Sequence, residues 1–195
     1  MSEYVYSRMR RVLASPATQQ IEFMCQGVWV NPALFNRVLS VLGSTDPAHS
    51  VSVVVNPQLL ANNAAADYNA ALNVFHFRDE ALNTPEDEAY VVHESVHCGF
   101  DIDRRANWHW WGQEACAMIA EIRYALNRGM PESQISSRDT IRTAALGIAR
   151  TLHRGDIISW DQYLPLRTAY LEAASDHNSC YHAFGRNTSY NNNGV

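Results

Sequence analysis

The stretch "YVVHESVHCGF", Tyr90 to Phe100, places two histidines four apart with a glutamate directly after the first, inside an apolar run without proline. Just upstream, Thr84 is suited to cap a helix, Pro85 to occupy its first position, and Glu86, Asp87 and Glu88 to face its positive end. A helix is therefore predicted over 85–100. On that helix His93 and His97 project from one face a turn apart, so two imidazole nitrogens can aim at one point as a metal clamp. Glu94 sits about 100° further round, able to reach a metal-activated water without being a ligand. The arrangement suits hydrolysis: the metal lowers the pKa of water toward ~7, and the carboxylate takes its proton and passes it to the leaving group. The bland reading is a buried helix that happens to carry two imidazoles. It leaves Glu94 unexplained, because a glutamate among Tyr90, Val91, Val92, Val96 and Phe100 is costly to bury without a role.

Around this segment the chain reads as α+β and mostly helical. "NPALFNRVLSVLG" has helical apolar spacing and closes on Gly43 as a C-terminal cap. "SVSVVVNP" and "LNVFHFRD" read as strands, with the polar, alanine-rich connector "QLLANNAAADYNA" between them. "DIDRRANWHWWG" breaks the pattern, and a second helix, "QEACAMIAEIRYALNRG", ends on Arg128 and Gly129. Two more helices are expected in "SSRDTIRTAALGIARTLHRG" and "SWDQYLPLRTAYLEAASD", with Pro165 starting or kinking the latter. The tail "GRNTSYNNNGV" reads as polar and frayed. With no repeat and no linker, residues 1–195 are expected to form one domain, with its core in 50–130 and a helical part over 131–185.

Charge and composition narrow the function classes. A net charge of -5 offers no basic footprint for a phosphate backbone, so no nucleic-acid partner is expected. No apolar stretch reaches the ~20 residues of a membrane span. The start lacks the apolar length of a signal peptide, which points to a cytoplasmic protein. Cys25, Cys98, Cys116 and Cys180 form no C-x-x-C pair and read as free thiols. All fifteen basic residues are arginine. A GC-rich genome accounts for that; so does delivery into another cell by a signal-independent secretion system, where lysines would be ubiquitin acceptors.

The motif resembles that of the zincin metallopeptidases, whose H-E-x-x-H stands here as "HESVH". The resemblance covers roughly residues 72–125 and implies a zincin-like fold: a small β-sheet, the motif helix, and a following helix that bears a glutamate. It also implies one Zn2+ and a peptide or protein substrate. Zincins divide by their third ligand. In metzincins a glycine follows the motif, and here Phe100 takes its place, although Asp103 stands where the last ligand would be. Asp101 and Asp103 also lie where an aspzincin would draw its aspartate, without the Gly-Thr context. The gluzincin pattern, a helical "N-E-x-x-A", is matched by "GQEACA", making Glu114 the third ligand with Glu121 as the alternative two turns on. The sixteen residues between His97 and Glu114 leave room for the chain to reverse. Met118 stands where thermolysin-like members carry an aspartate behind a metal-binding histidine, so Glu121 or Asp101 is expected to provide that carboxylate.

In the same group of enzymes "LNVFHFRD" would be the strand that aligns substrate by main-chain pairing, and a late Tyr or His would stabilise the oxyanion. His177, Tyr181 and His182 are the candidates. His76 and His109 read as structural, Cys98 as a small buried hydrophobe, and Trp108, Trp110 and Trp111 as core or loop anchors that could wall an apolar subsite. Two other functions remain open: a non-catalytic binding protein that holds a partner in the zincin cleft, and a metal-dependent hydrolase acting on something other than peptide.

Overall fold

The computed structural model describes residues 3–46, 50–60, 65–80, 82–104, 109–136, 139–176, 181 and 194. In chain order the elements are α1 (Glu3–Leu13), α2 (Pro16–Gln19), β1 (Phe23–Cys25), β2 (Val28–Val30), α3 (Pro32–Val41), β3 (Ser52–Val55), β4 (Ala66–Asn69), β5 (Val74–Phe77), α4 (Pro85–Ile102), α5 (Trp110–Asn127), α6 (Glu132–Ser136), α7 (Thr140–Ala149), β6 (Asp156–Ile157) and α8 (Trp160–Ala173). The fold is α+β and mostly helical, with two three-stranded sheets among the described residues.

Helix α4 forms where local chemistry asks for it. The Thr84 hydroxyl accepts from Asp87 N–H while the Asp87 side chain accepts from Thr84 N–H, a reciprocal capping box that satisfies two otherwise unpaired donors. Past that first turn nearly every side chain is buried, so α4 is an internal rod. Its widest neighbour is α5, and α3, α1 and β4 cover its remaining sides. The approach of α3 is close: a Cβ added at Gly99 would stand 2.6 Å from Leu34 Cδ2. Helices α7 and α8 pack on the outer side of α5. Pro165 lies inside α8, which begins five residues earlier at Trp160 behind a Ser159–Gln162 capping box, so this proline does not start the helix.

The sheet beside α4 has the order β3-β5-β4, with β3 parallel and β4 antiparallel to β5. Its third strand, β4, comes from the segment read as a connector. Alanine and asparagine have weak strand propensity, and pairing with β5 together with the burial of Ala66 and Tyr68 overrides it. The other sheet, β2-β1-β6, begins as a hairpin whose turn residues Gln26 and Gly27 both have positive φ, the two-residue turn that matches strand twist.

Buried apolar residues run from Val5 to Ala174, so α1, β1 and α3 share the core with the 50–130 segment. One buried charge ties three helices together. Glu88 of α4 meets Arg8 of α1 at 2.9 Å, Arg128 just past α5 at 3.0 Å and the Tyr124 hydroxyl of α5 at 2.8 Å. Of the tail 185–195 only Gly194 is described, and its N–H donates to Asp101 Oδ1 at 2.9 Å.

Candidate metal centre

Because α5 lies along α4, the glutamate near the start of α5 meets the two histidines of α4. His93 Nε2 and His97 Nε2 stand 3.4 Å apart. Glu114 Oε1 is 3.4 Å from His97 Nε2, and Glu114 Oε2 is 3.6 Å from His93 Nε2. Glu114 thus turns a different oxygen to each histidine, and one ligand atom from each of the three residues lies within 4.8 Å of the other two, close enough to hold one metal ion. All three residues are buried, and they are the one group of three or more metal-ligating side chains within 4.8 Å among the described residues. A tetrahedral metal held by these three side chains would have its fourth position open.

Glu121 stands apart from this triangle. Its Oε2 is 2.8 Å from His93 Nδ1, on the far side of the ring from Nε2. A carboxylate there accepts the Nδ1 proton and leaves the Nε2 lone pair for a metal. The seven-residue spacing places both glutamates on one face of α5, Glu114 at the ligand side of His93 and Glu121 behind it. Arg142 of α7 lies 2.5 Å from Glu121 Oε1. Met118, between the two glutamates in sequence, lines the cleft together with Glu121.

Environment separates the two imidazoles. Burial pulls His97 down to about 4, in spite of the Glu114 charge and the neighbouring Gln113 side chain, so its ring is neutral as a ligand must be. Burial also acts against the charged form of His93, but the close Glu114 carboxylate, the hydrogen bond to Glu121 and the charge of Glu94 outweigh it and raise that ring well above its usual value. Metal-free His93 thus holds a proton that a metal must displace.

Glu94 opens on a cleft of about 630 Å³ whose walls include Ala66, Tyr90, Met118 and Tyr181. Burial, with the charges of Asp67 and Glu114, pushes its carboxyl up to about 8, against the opposing pull of His93 and a hydrogen bond from Tyr68 N–H. That bond, 2.9 Å to Oε2, comes from the backbone of β4. Strand β5, expected to align substrate, is the central strand with both edges paired, so among the described residues the edge strand beside Glu94 is β4.

The remaining candidates fall elsewhere. Asp101 is buried at the end of α4, accepting from the Tyr68 hydroxyl at 2.9 Å and from Gly194 N–H. Asp103 pairs with Arg37 at 2.9 Å outside the metal triangle. Tyr181 lines the cleft, its ring stacked on Trp110 at 5.6 Å and edge-on to Tyr170 at 5.2 Å. His177, His182, Trp108 and Cys180 lie outside the described residues. Trp110 and Trp111 are buried, and Trp111 stacks on His109 at 5.0 Å. His76 stands 3.4 Å from Asp67. Cys25, Cys98 and Cys116 are buried free thiols, and burial pushes the Cys98 thiol up.

Three participants gave no warning in the sequence: Tyr68 acts through its backbone, Gln113 only by standing next to Glu114, and Arg142 from a helix remote in the chain. None of the described helices is long and apolar enough to cross a membrane. Compared with protein-family models, with curated proteins and with solved structures, the chain finds no match in any of the three.

Proposed function

We propose that this chain is a zinc-dependent peptidase of gluzincin type, with His93, His97 and Glu114 holding the metal and Glu94 acting as general base. The observation that carries the reading is the buried cluster of His93 Nε2, His97 Nε2 and the Glu114 carboxylate, whose two oxygens lie 3.6 and 3.4 Å from the two imidazole nitrogens, with a further glutamate, Glu94, at the wall of an open cleft. A zinc ion held there would supply Lewis acidity, making water a nucleophile near neutral pH.

The chain's own residues do the rest. Glu94 accepts the proton of the attacking water and returns it to the departing amine, a role for which the charge of a bound zinc would favour its ionised form. Tyr68 N–H holds one of its oxygens and leaves the other for proton transfer. The bond from Arg78 N–H to Ala65 O, 3.0 Å long, places alternate residues of β4 against β5, which turns the main-chain groups of Ala66 and the carbonyl of Tyr68 outward, the Tyr68 N–H being held by Glu94. An extended peptide pairing there would lie along the cleft beside Glu94.

The test is hydrolysis of a varied peptide library by the zinc-loaded wild type and by Glu94→Gln. The wild type should cleave a subset, and the variant should bind zinc equally while losing on the order of 10²–10⁴ in rate. Equal inertness of both proteins, with zinc bound, would favour a cleft that only holds its partner.

A further inference from the structure

We propose that Arg142 is a positioning residue for the metal centre: from α7 it fixes the Glu121 carboxylate, which in turn holds His93 with Nε2 turned toward the metal. The inference rests on the metal reading of His93, His97 and Glu114 and requires nothing about what is cleaved.

A glutamate side chain turns about three bonds, so a single hydrogen bond to an imidazole does not fix it. In this site Oε2 is hydrogen-bonded and Oε1 is held by an ion pair. Oε2 meets His93 Nδ1 at 2.8 Å and Oε1 meets Arg142 Nη2 at 2.5 Å. Glu121 is 2 % exposed, so no water shell competes with the guanidinium for that second oxygen. Arg142 is anchored in its own right. Asp139, the N-cap of α7, lies 4.0 Å from its Nε, and the guanidinium carbon sits over the Tyr90 ring, 5.8 Å from the centroid. The chain of contacts therefore runs from α7 through α5 to α4 and ends on a metal ligand.

Direction supports the role. The carboxylate reaches the nitrogen of His93 that a metal would not use, so whatever holds Glu121 also sets the direction of Nε2. The guanidinium reaches Glu121 Oε1 through Nη2, as a short ion pair, and its charge holds the carboxylate from the side opposite His93. An ion pair that served only to dock α7 on α5 would change stability without changing how the folded protein holds metal.

Zinc affinity, read by competition with a chromophoric chelator, separates the two roles in a cycle of wild type, Arg142→Met, Glu121→Gln and the double variant. Loss of the carboxylate behind a ligating histidine weakens metal binding about 10- to 100-fold. Both single variants should fall in that range. The double variant should bind no more weakly than Glu121→Gln alone, because Arg142 acts through Glu121. Arg142→Lys should recover part of the loss. Should Arg142→Met fail to fold, Arg142→Gln takes its place. Affinity within about twofold of wild type in the arginine variant, or an undiminished effect of that variant in the Glu121→Gln background, would overturn the proposal. A wild type that binds no zinc would overturn the metal reading itself, and the proposal with it. Zinc binding without hydrolysis of any peptide would overturn only the peptidase.

Discussion

His93 is held between two carboxylates, one on each side of its ring, and the proton it carries without metal has measurable consequences. Its pKa is raised, so below that value zinc must displace a proton to bind, and the affinity should rise with pH until the ring deprotonates. Calorimetric titration in buffers of different ionisation enthalpy should show proton release on zinc binding at neutral pH; release of none would contradict the assignment of His93. Glu94 acts on metal-free stability. A carboxyl raised to about 8 in the folded chain contributes stability that is full below its unfolded value near 4.5 and is lost as pH rises through about 8. At about 1.4 kcal/mol for each pH unit of that interval, the loss amounts to several kcal/mol at most. Metal-free Glu94→Gln should therefore melt close to wild type at pH 5 and above it at pH 9; parallel melting curves at both values would contradict the assignment.

At the scale of elements, α4 and α5 were legible because their signals are local. The Thr84 cap, Pro85, the acidic first turn and the His93–His97 spacing all lie within one short segment, and Glu114 follows in a run with helical periodicity. Strand β4 was not legible, since its apolar–polar alternation spans only Ala66 to Asn69, too short to stand out from the alanine-rich stretch around it, and its pairing is imposed by β5. The roles of Glu121 and Arg142 were beyond sequence reading in a different way: a seven-residue interval places a glutamate on the right face of α5 but does not say which nitrogen of His93 it meets, and nothing in α7 points to α5. Element packing predicts a further outcome. Gly99→Ala puts a methyl against Leu34 where α3 crosses α4, and should cost about 1–3 kcal/mol in urea unfolding, with no change in the slope of the transition. A neutral effect would mean that α3 stands further from α4.

For the whole molecule, the core and the site are one construction. Helix α4 is at once the buried rod that α1, α3 and α5 pack around and the carrier of both histidines, so a ligand that ties α4 to α5 should stabilise the entire fold. Zinc at about a hundredfold over its dissociation constant would add about 2.7 kcal/mol, and chelation should lower the melting temperature accordingly. The assignment of three side chains from two helices to one ion is tested most directly by the metal content of protein refolded with zinc and passed through a desalting column. About one zinc per chain is predicted for the wild type, with most of it lost in His93→Ala, His97→Ala and Glu114→Ala and retained in Glu94→Gln. A folded wild type that carries no zinc, or a Glu114→Ala variant that keeps its full equivalent, would contradict it.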